Sequence, residues 1–148
     1  AYQWINKNQV DQDFLDKYCV GYDEKTLPAS APKNSDYKSY ILGNGPDKQP
    51  KTPEWASKIT GIPVKTIVDL AEEMASTKPL FVSQGWGPQR QANGEHTCRA
   101  ISMVPILLGQ IGLPGTNAGE HEGNTPFPAV YLPRQEPGQS HYSGLYVD

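Results

Sequence analysis

The sequence predicts an α/β fold, in which strand–glycine loop–helix units belong to a parallel-sheet cofactor-binding domain with long irregular segments. Three observations predict it. Residues 79–84 form a short apolar run, residues 85–95 carry three glycines, and residues 99–108 form a long apolar segment. A strand, a glycine-rich loop and a helix in that order, with helices before them, are typical of parallel sheets with helical crossovers. Residues 85–95 are called the glycine loop below.

The first third of the chain predicts one helix and then a long irregular stretch. Asp11 suits the N-cap of that helix, and Gly21 suits its end. Residues 23–51 are rich in Pro, Gly, Asn, Ser and Lys, and within them only residues 37–42 indicate a strand. Long structureless stretches are uncommon inside independent domains. We therefore interpret residues 1–50 as a helix plus an irregular excursion over a larger body.

Two helices are predicted immediately before the apolar run. Thr52 is a good N-cap and Pro53 suits the first helical position, so a helix is expected from there to Gly61. Pro63 then opens a second helix. Its apolar residues recur at helical spacing and form one face: Val64, Ile67, Leu70, Ala71 and Met74.

The chain after the glycine loop divides into a helix and a tail. Residues 95–111 predict a helix that is apolar almost all round past Arg99, which predicts burial on several sides. Residues 51–124 are accordingly assigned to one α/β portion of the chain. Residues 125–148 predict an extended Pro/Gly-rich tail that needs a partner surface.

Composition excludes several classes of protein. The 148 residues carry a net charge of −3 without a run of Lys or Arg, so nucleic acid is not an expected partner. No segment reaches the ~18 consecutive apolar residues of a membrane-spanning helix. The two cysteines, Cys19 and Cys98, are interpreted as reduced thiols in preference to one disulfide, because nothing else resembles a secreted disulfide scaffold.

The glycine loop has the chemistry of an anion or dinucleotide site. Arg90 is a forked donor that suits phosphate, Trp86 offers a stacking plane, and the following helix N-terminus favours negative charge. The spacing matches neither GxGxxG nor the Walker loop. A tight turn without a ligand is the alternative, and loop chemistry alone favours neither interpretation. A second glycine cluster, residues 115–124, is either another wall of the same site or a flexible linker.

Metal and nucleophile chemistry find little support in the sequence. His96, Cys98, His121 and Glu122 are ligand types, but the chain contains neither CxxC nor HExxH. It also lacks the GxSxG elbow of a serine nucleophile. We therefore predict no catalytic residue and no metal ligand within this chain.

Four segments together resemble one known family. They read DQDFLDKYCVGYD at 11–23, KTPEWA at 51–56, GWGPQRQANGE at 85–95 and GQIG at 109–112. They are similar to the catalytic subunits of bacterial anaerobic dimethyl sulfoxide reductases, within the molybdopterin oxidoreductases. The resemblance covers residues 1–124. Because family members are several times longer, it implies an internal fragment of a large enzyme.

The resemblance also implies a cofactor, partners and a location. Family members reduce S- or N-oxides by oxygen-atom transfer in anaerobic respiration, at molybdenum bis(molybdopterin guanine dinucleotide). The resemblance therefore implies that the α/β portion at residues 51–124 binds this molybdopterin dinucleotide. The metal ligand and a 4Fe-4S cluster would lie outside this segment. Implied partners are the remainder of the catalytic subunit, an iron–sulfur electron-transfer subunit and a membrane anchor subunit, at the periplasmic face of the inner membrane.

Site residues carry over only where the family motif matches. A Trp-x-x-Gln-Arg stretch lines one pterin dinucleotide in the family, and the later glycine loop approaches the cofactor. The implied cofactor-binding residues are Gly85, Trp86, Gly87, Pro88, Gln89, Arg90, Gly123 and Asn124. Selenate reductase of the same family, or a non-catalytic interaction module, is the alternative function. The isolated fragment is expected to be inactive.

Overall fold

The computed structural model describes residues 1–117 of the chain. Within them lie six α-helices and one short 3₁₀ turn. The helices are α1 (Tyr2–Asn6), α2 (Gln12–Tyr18), α3 (Tyr37–Leu42), α4 (Pro53–Thr60), α5 (Val64–Ser76) and α6 (Gly94–Leu107), and the 3₁₀ turn is Gly87–Gln89. None of the helices in this part of the chain has the length and apolar character needed to cross a membrane.

The predicted start of α2 is confirmed, and its predicted end is wrong. The Asp11 carboxylate accepts a hydrogen bond of 3.0 Å from the N–H of Phe14, as an N-cap does. The helix ends at Tyr18 because Cys19 adopts extended backbone, with φ −116° and ψ 136°. Gly21, at φ 79°, serves the turn that follows.

The helix predicted after Thr52 is confirmed at both ends. The Thr52 hydroxyl accepts a hydrogen bond of 3.1 Å from the N–H of Trp55, and Pro53 occupies the first turn. Gly61 ends α4 in the left-handed conformation at φ 74°, which a glycine adopts without steric cost.

The strand predicted for residues 37–42 is wrong, because these residues form α3. Asp36 caps the helix by accepting a hydrogen bond of 2.8 Å from the N–H of Ser39. Gly43, left-handed at φ 80°, ends it. A short apolar run cannot be assigned by periodicity alone, and here the two caps decide in favour of a helix.

The helix following the glycine loop is shorter and less buried than predicted. α6 ends at Leu107, four residues before Ile111, because the chain turns at Gly109 with φ 63°. Within residues 1–117 its buried residues are Gly94, Pro105 and Leu107, so burial is concentrated at the ends and not all round.

The core lies where α1, α2, α5 and α6 meet. The Trp4 indole N–H donates a hydrogen bond of 2.8 Å to the carbonyl of Ala71, which ties α1 to α5. The N–H of Asp11 donates to the carbonyl of Leu107 at 2.8 Å, which ties α2 to α6. The predicted face of α5 contributes Ala71 and Met74, while Leu70 is 49 % exposed. The buried cluster consists of Trp4, Leu15, Tyr22, Leu107 and Leu108.

The predicted sheet has no counterpart among residues 1–117. Residues 80–85 are assigned to neither helix nor strand, and the only β-bridge in the described part is an isolated parallel one between Ile111 and Asn117. A parallel sheet needs strands from several crossover units, and this part of the chain offers one candidate strand. The α/β class and the three-part division of the chain therefore stay predictions.

Tyr22 makes the fold sensitive to alkaline pH. Burial, followed by the charges of Asp23, Asp16 and Asp36, raises the pKa of Tyr22 from 10.0 to about 12. The folded state therefore holds this proton more tightly than the unfolded state. Its contribution to stability is complete below pH 10 and is lost as the pH rises towards 12.

We expect Tyr22→Phe to reduce that alkaline loss of stability. The Tyr22 hydroxyl is buried and has no hydrogen-bond partner among residues 1–117, so its removal should change stability at neutral pH by less than ~1 kcal/mol. Denaturant unfolding at a series of pH values measures both effects, and Tyr18→Phe, at a side chain 63 % exposed, is the control. An alkaline loss of equal size in Tyr22→Phe and in the parent chain contradicts this assignment.

Candidate functional site

The glycine loop joins residues 80–84 to α6 and is folded by its own backbone. The N–H of Gln89 donates to the carbonyl of Trp86 at 3.3 Å, and the N–H of Arg90 donates to that of Gly87 at 3.1 Å. These two bonds form the 3₁₀ turn Gly87–Gln89, with Pro88 at its start. The turn brings the side chains of Trp86, Gln89 and Arg90 to one short stretch of surface.

Arg90 stacks on Trp86 and remains available to a ligand. Its guanidinium carbon lies 4.9 Å from the centroid of the Trp86 ring, which is within the range of a cation–π contact. Both side chains are exposed, Trp86 at 44 %. Within residues 1–117 no carboxylate forms an ion pair with Arg90. Stacking therefore holds a planar, charged donor at the surface without neutralising it.

The three loop glycines have two different roles. Among residues 1–117, a Cβ placed on Gly85 or on Gly87 meets no atom within 4 Å, so this part of the chain leaves space above the backbone at both positions. A Cβ on Gly94 would instead collide with the backbone of Gln89. Gly94 is thus required for the loop to close on the start of α6, whereas Gly85 and Gly87 leave room for another molecule.

Two further features lie at the ends of the loop. The Gln84 amide donates a long hydrogen bond of 3.5 Å to the carbonyl of Cys98, and its buried Oε1 has no hydrogen-bond partner among the described residues. α6 begins after Asn93, at φ 58°, without a side-chain cap. In its first turn the N–H of Gly94 donates to the carbonyl of Gln91 and that of His96 to the carbonyl of Asn93, so an anion would be favoured by the positive helix end and not by a set of free N–H groups. Glu95 in that turn partly offsets the positive helix end.

Two amide side chains that sequence reasoning did not single out support the base of the loop. Gln110 accepts a hydrogen bond from the N–H of Leu80, and Asn117 bonds both backbone groups of Val82. Asn117 belongs to the second glycine cluster, which was considered as another wall of the site. The sequence shows the Asn117 carboxamide next to a glycine-containing turn, which is a signal for a side chain that bonds to backbone. It does not show the partner, because Val82 lies 35 residues away.

The structure brings six of the eight predicted cofactor-binding residues together. Gly85, Trp86, Gly87, Pro88, Gln89 and Arg90 are contiguous in the loop described above. Gly123 and Asn124 lie outside the described residues, as do His121 and Glu122. Across residues 1–117 no three His, Cys, Asp or Glu side chains are grouped to hold a metal ion. Cys19 and Cys98 are both free thiols.

Curated relatives cover most of this chain at high identity. It is 64 % identical over 136 residues, 92 % of the chain, to dimethyl sulfoxide reductase DmsA of Escherichia coli (strain K12), of which it spans 17 %. It is 62 % identical over 133 residues, 90 % of the chain, to DmsA of Haemophilus influenzae, of which it spans 16 %. Trimethylamine-N-oxide reductase of H. influenzae is 40 % identical over 119 residues, 80 % of the chain and 13 % of that relative.

The relatives are all oxidoreductases, and each is much longer than this chain. The chain belongs to the dimethyl sulfoxide reductase family and corresponds to about one sixth of its catalytic subunit, as the shares of 17 % and 16 % indicate. No protein-family model and no solved structure matches it.

Proposed function

We propose that this chain is a segment of a molybdenum-dependent S- or N-oxide reductase, and that its glycine loop holds a molybdopterin guanine dinucleotide. The observation that carries the proposal is the exposed Arg90, stacked on Trp86 and without an ion-pair partner among residues 1–117, in a loop where a Cβ on Gly85 or Gly87 meets no other described atom. Identities of 57–64 % to dimethyl sulfoxide reductase chains, against 40 % to trimethylamine-N-oxide reductases, favour a sulfoxide substrate.

The residues present fit such a dinucleotide. Its diphosphate needs charged donors and a positive field, and Arg90 and the N-terminal end of α6 supply them. Its heterocycles need hydrogen-bonding amides and a flat wall, and Gln89 and Trp86 supply these. The space above Gly85 and Gly87 admits the ligand close to the backbone.

In this proposal the chain binds the dinucleotide, orients it and excludes water from it. Arg90 donates to the diphosphate, Gln89 fixes the orientation of the dinucleotide, and Trp86 walls off the site from solvent. When bound, the molybdenum group supplies oxygen-atom transfer from the substrate oxide. The proposed partners are the remainder of the catalytic subunit, an iron–sulfur electron-transfer subunit and a membrane anchor subunit, and the proposed location is the periplasmic face of the inner membrane. The isolated chain is expected to be inactive, since no catalytic residue is assigned to it.

Hydrogen–deuterium exchange tests the proposal in the full-length reductase that carries this segment. Cofactor-loaded and cofactor-free preparations are compared peptide by peptide. We expect slower exchange over the glycine loop when the cofactor is present, because bound donors and excluded water protect its amides. The peptide covering α4 is the internal control, since no residue of that helix is assigned to the site. Equal exchange of the loop in the two preparations, or protection that depends only on a partner protein, contradicts the proposal.

A further inference from the structure

We propose that Asn117 and Gln110 are positioning residues, which set the glycine loop by holding the backbone immediately before it. This inference rests on the proposed function, because it concerns how the loop is kept ready for the dinucleotide. Neither residue belongs to the loop, and neither is assigned a contact with the cofactor.

Asn117 pairs with Val82 through both ends of its amide. Its Oδ1 accepts a hydrogen bond of 3.0 Å from the N–H of Val82, and its Nδ2 donates one of 2.7 Å to the Val82 carbonyl. Two residues in adjacent antiparallel strands exchange both bonds in the same way. The Asn117 side chain thus makes the two hydrogen bonds that a neighbouring strand would make to Val82, which lies three residues before Gly85.

Gln110 holds the same segment two residues earlier. Its side chain is buried, with the residue 5 % exposed, and its Oε1 accepts a hydrogen bond of 3.2 Å from the N–H of Leu80. Its Nε2 donates to the carbonyl of Leu108 at 3.3 Å, which anchors the amide to the end of α6. The N–H of Leu80 and both backbone groups of Val82 therefore find their hydrogen-bond partners in side chains.

Asn117 is itself held in a folded turn. The N–H of Gly112 donates to the Asn117 carbonyl at 2.8 Å. The buried Thr116 hydroxyl accepts from the N–H of Leu113 at 2.9 Å and donates to the Leu113 carbonyl at 2.8 Å. The support beneath the loop is thus rigid, and a binding loop gains geometric precision from such a second layer of hydrogen bonds. Only a side chain with both a donor and an acceptor makes the Asn117–Val82 pair.

The test uses three variants of the full-length reductase: Asn117→Ala, Asn117→Asp and, as a stability-matched control, Thr52→Ala. Thr52→Ala removes the N-cap of α4, away from the loop. Two quantities are measured in each: amide exchange over residues 80–90 and the rate at which the molybdopterin guanine dinucleotide is released. Thermal unfolding reports global stability.

Asn117→Ala should speed exchange over residues 80–90 about tenfold, as the loss of two ordinary hydrogen bonds implies, and should speed cofactor release. Asn117→Asp retains the acceptor for the Val82 N–H but turns a second acceptor towards the Val82 carbonyl, so exchange should again be faster than in the parent protein. Parent-like exchange in Asn117→Asp contradicts a need for the amide donor. Thr52→Ala should change neither quantity at a comparable loss of thermal stability.

Two contrary results are distinguishable. Unchanged exchange in Asn117→Ala, or equal loosening in Thr52→Ala, overturns the positioning role and leaves the proposed function standing. Faster exchange in Asn117→Ala with unchanged cofactor release overturns the assignment of the loop to the cofactor, and the positioning role for that cofactor falls with it.

Discussion

Replacing Arg90 with alanine is expected to weaken retention of the molybdopterin guanine dinucleotide about 10- to 100-fold in the full-length reductase. A charge-assisted hydrogen bond contributes about 1.5–3 kcal/mol, and this range corresponds to that loss of affinity. Arg90 is exposed and has no carboxylate partner within residues 1–117, so its removal breaks no ion pair described there. Cofactor content should therefore fall with little change in thermal unfolding.

Arg99→Ala is the matched control for Arg90→Ala. Arg99 is exposed on α6, outside the glycine loop. Its replacement by alanine removes the same charge from the chain as Arg90→Ala does. Cofactor content after gel filtration, measured as molybdenum per polypeptide, should stay at the parent level in this variant. Equal cofactor content in Arg90→Ala and Arg99→Ala would contradict the assignment of Arg90 to dinucleotide binding.

Gly87→Ala is expected to lower cofactor content without lowering stability. A Cβ at Gly87 meets nothing within 4 Å in the described part of the chain, and the φ of Gly87 lies outside the left-handed region. Gly→Ala at such a compatible position stabilises a fold by about 0.4–1 kcal/mol through the unfolded state. The added methyl group would occupy the space assigned to the dinucleotide, so a loss of cofactor with unchanged or higher thermal stability marks that space as a binding surface.

Gly94→Ala is the contrasting variant of the same loop. Its Cβ would collide with the backbone of Gln89, and overpacking of this kind costs about 1–3 kcal/mol. Stability should therefore fall in Gly94→Ala and hold in Gly87→Ala, as measured by denaturant unfolding. Full cofactor content in Gly87→Ala contradicts a ligand above that glycine.

Local capping chemistry was readable from the sequence because each signal lies within a few residues. Asp11, Thr52 and Gly61 cap or end the helices they were predicted to cap or end. Residues 37–42 were misassigned because their apolar pattern is too short to distinguish a strand from a helix, and the capping role of Asp36 was overlooked. The early end of α6 depends on Gly109, where a Cβ would collide with the Asp11 carboxylate. That contact is distant in sequence.

In the candidate site too, features local in sequence could be predicted and contacts between distant residues could not. Trp86, Gln89 and Arg90 are adjacent in sequence, so their grouping in one loop followed from the pattern. The hydrogen bonds of Asn117 to Val82 and of Gln110 to Leu80 join residues 35 and 30 positions apart. No periodicity or motif specifies such pairs, since they arise only when the end of α6 folds back on the segment before the loop.

The most direct test of the central claim is the composition of the native protein. The polypeptide containing this segment is purified from its own cells, its mass is measured, and molybdenum and guanine nucleotide are quantified after acid denaturation. We predict a polypeptide several times larger than 16.3 kDa that releases molybdenum together with guanine nucleotide. A species near 16.3 kDa that releases neither would contradict the claim that the glycine loop serves a molybdopterin guanine dinucleotide.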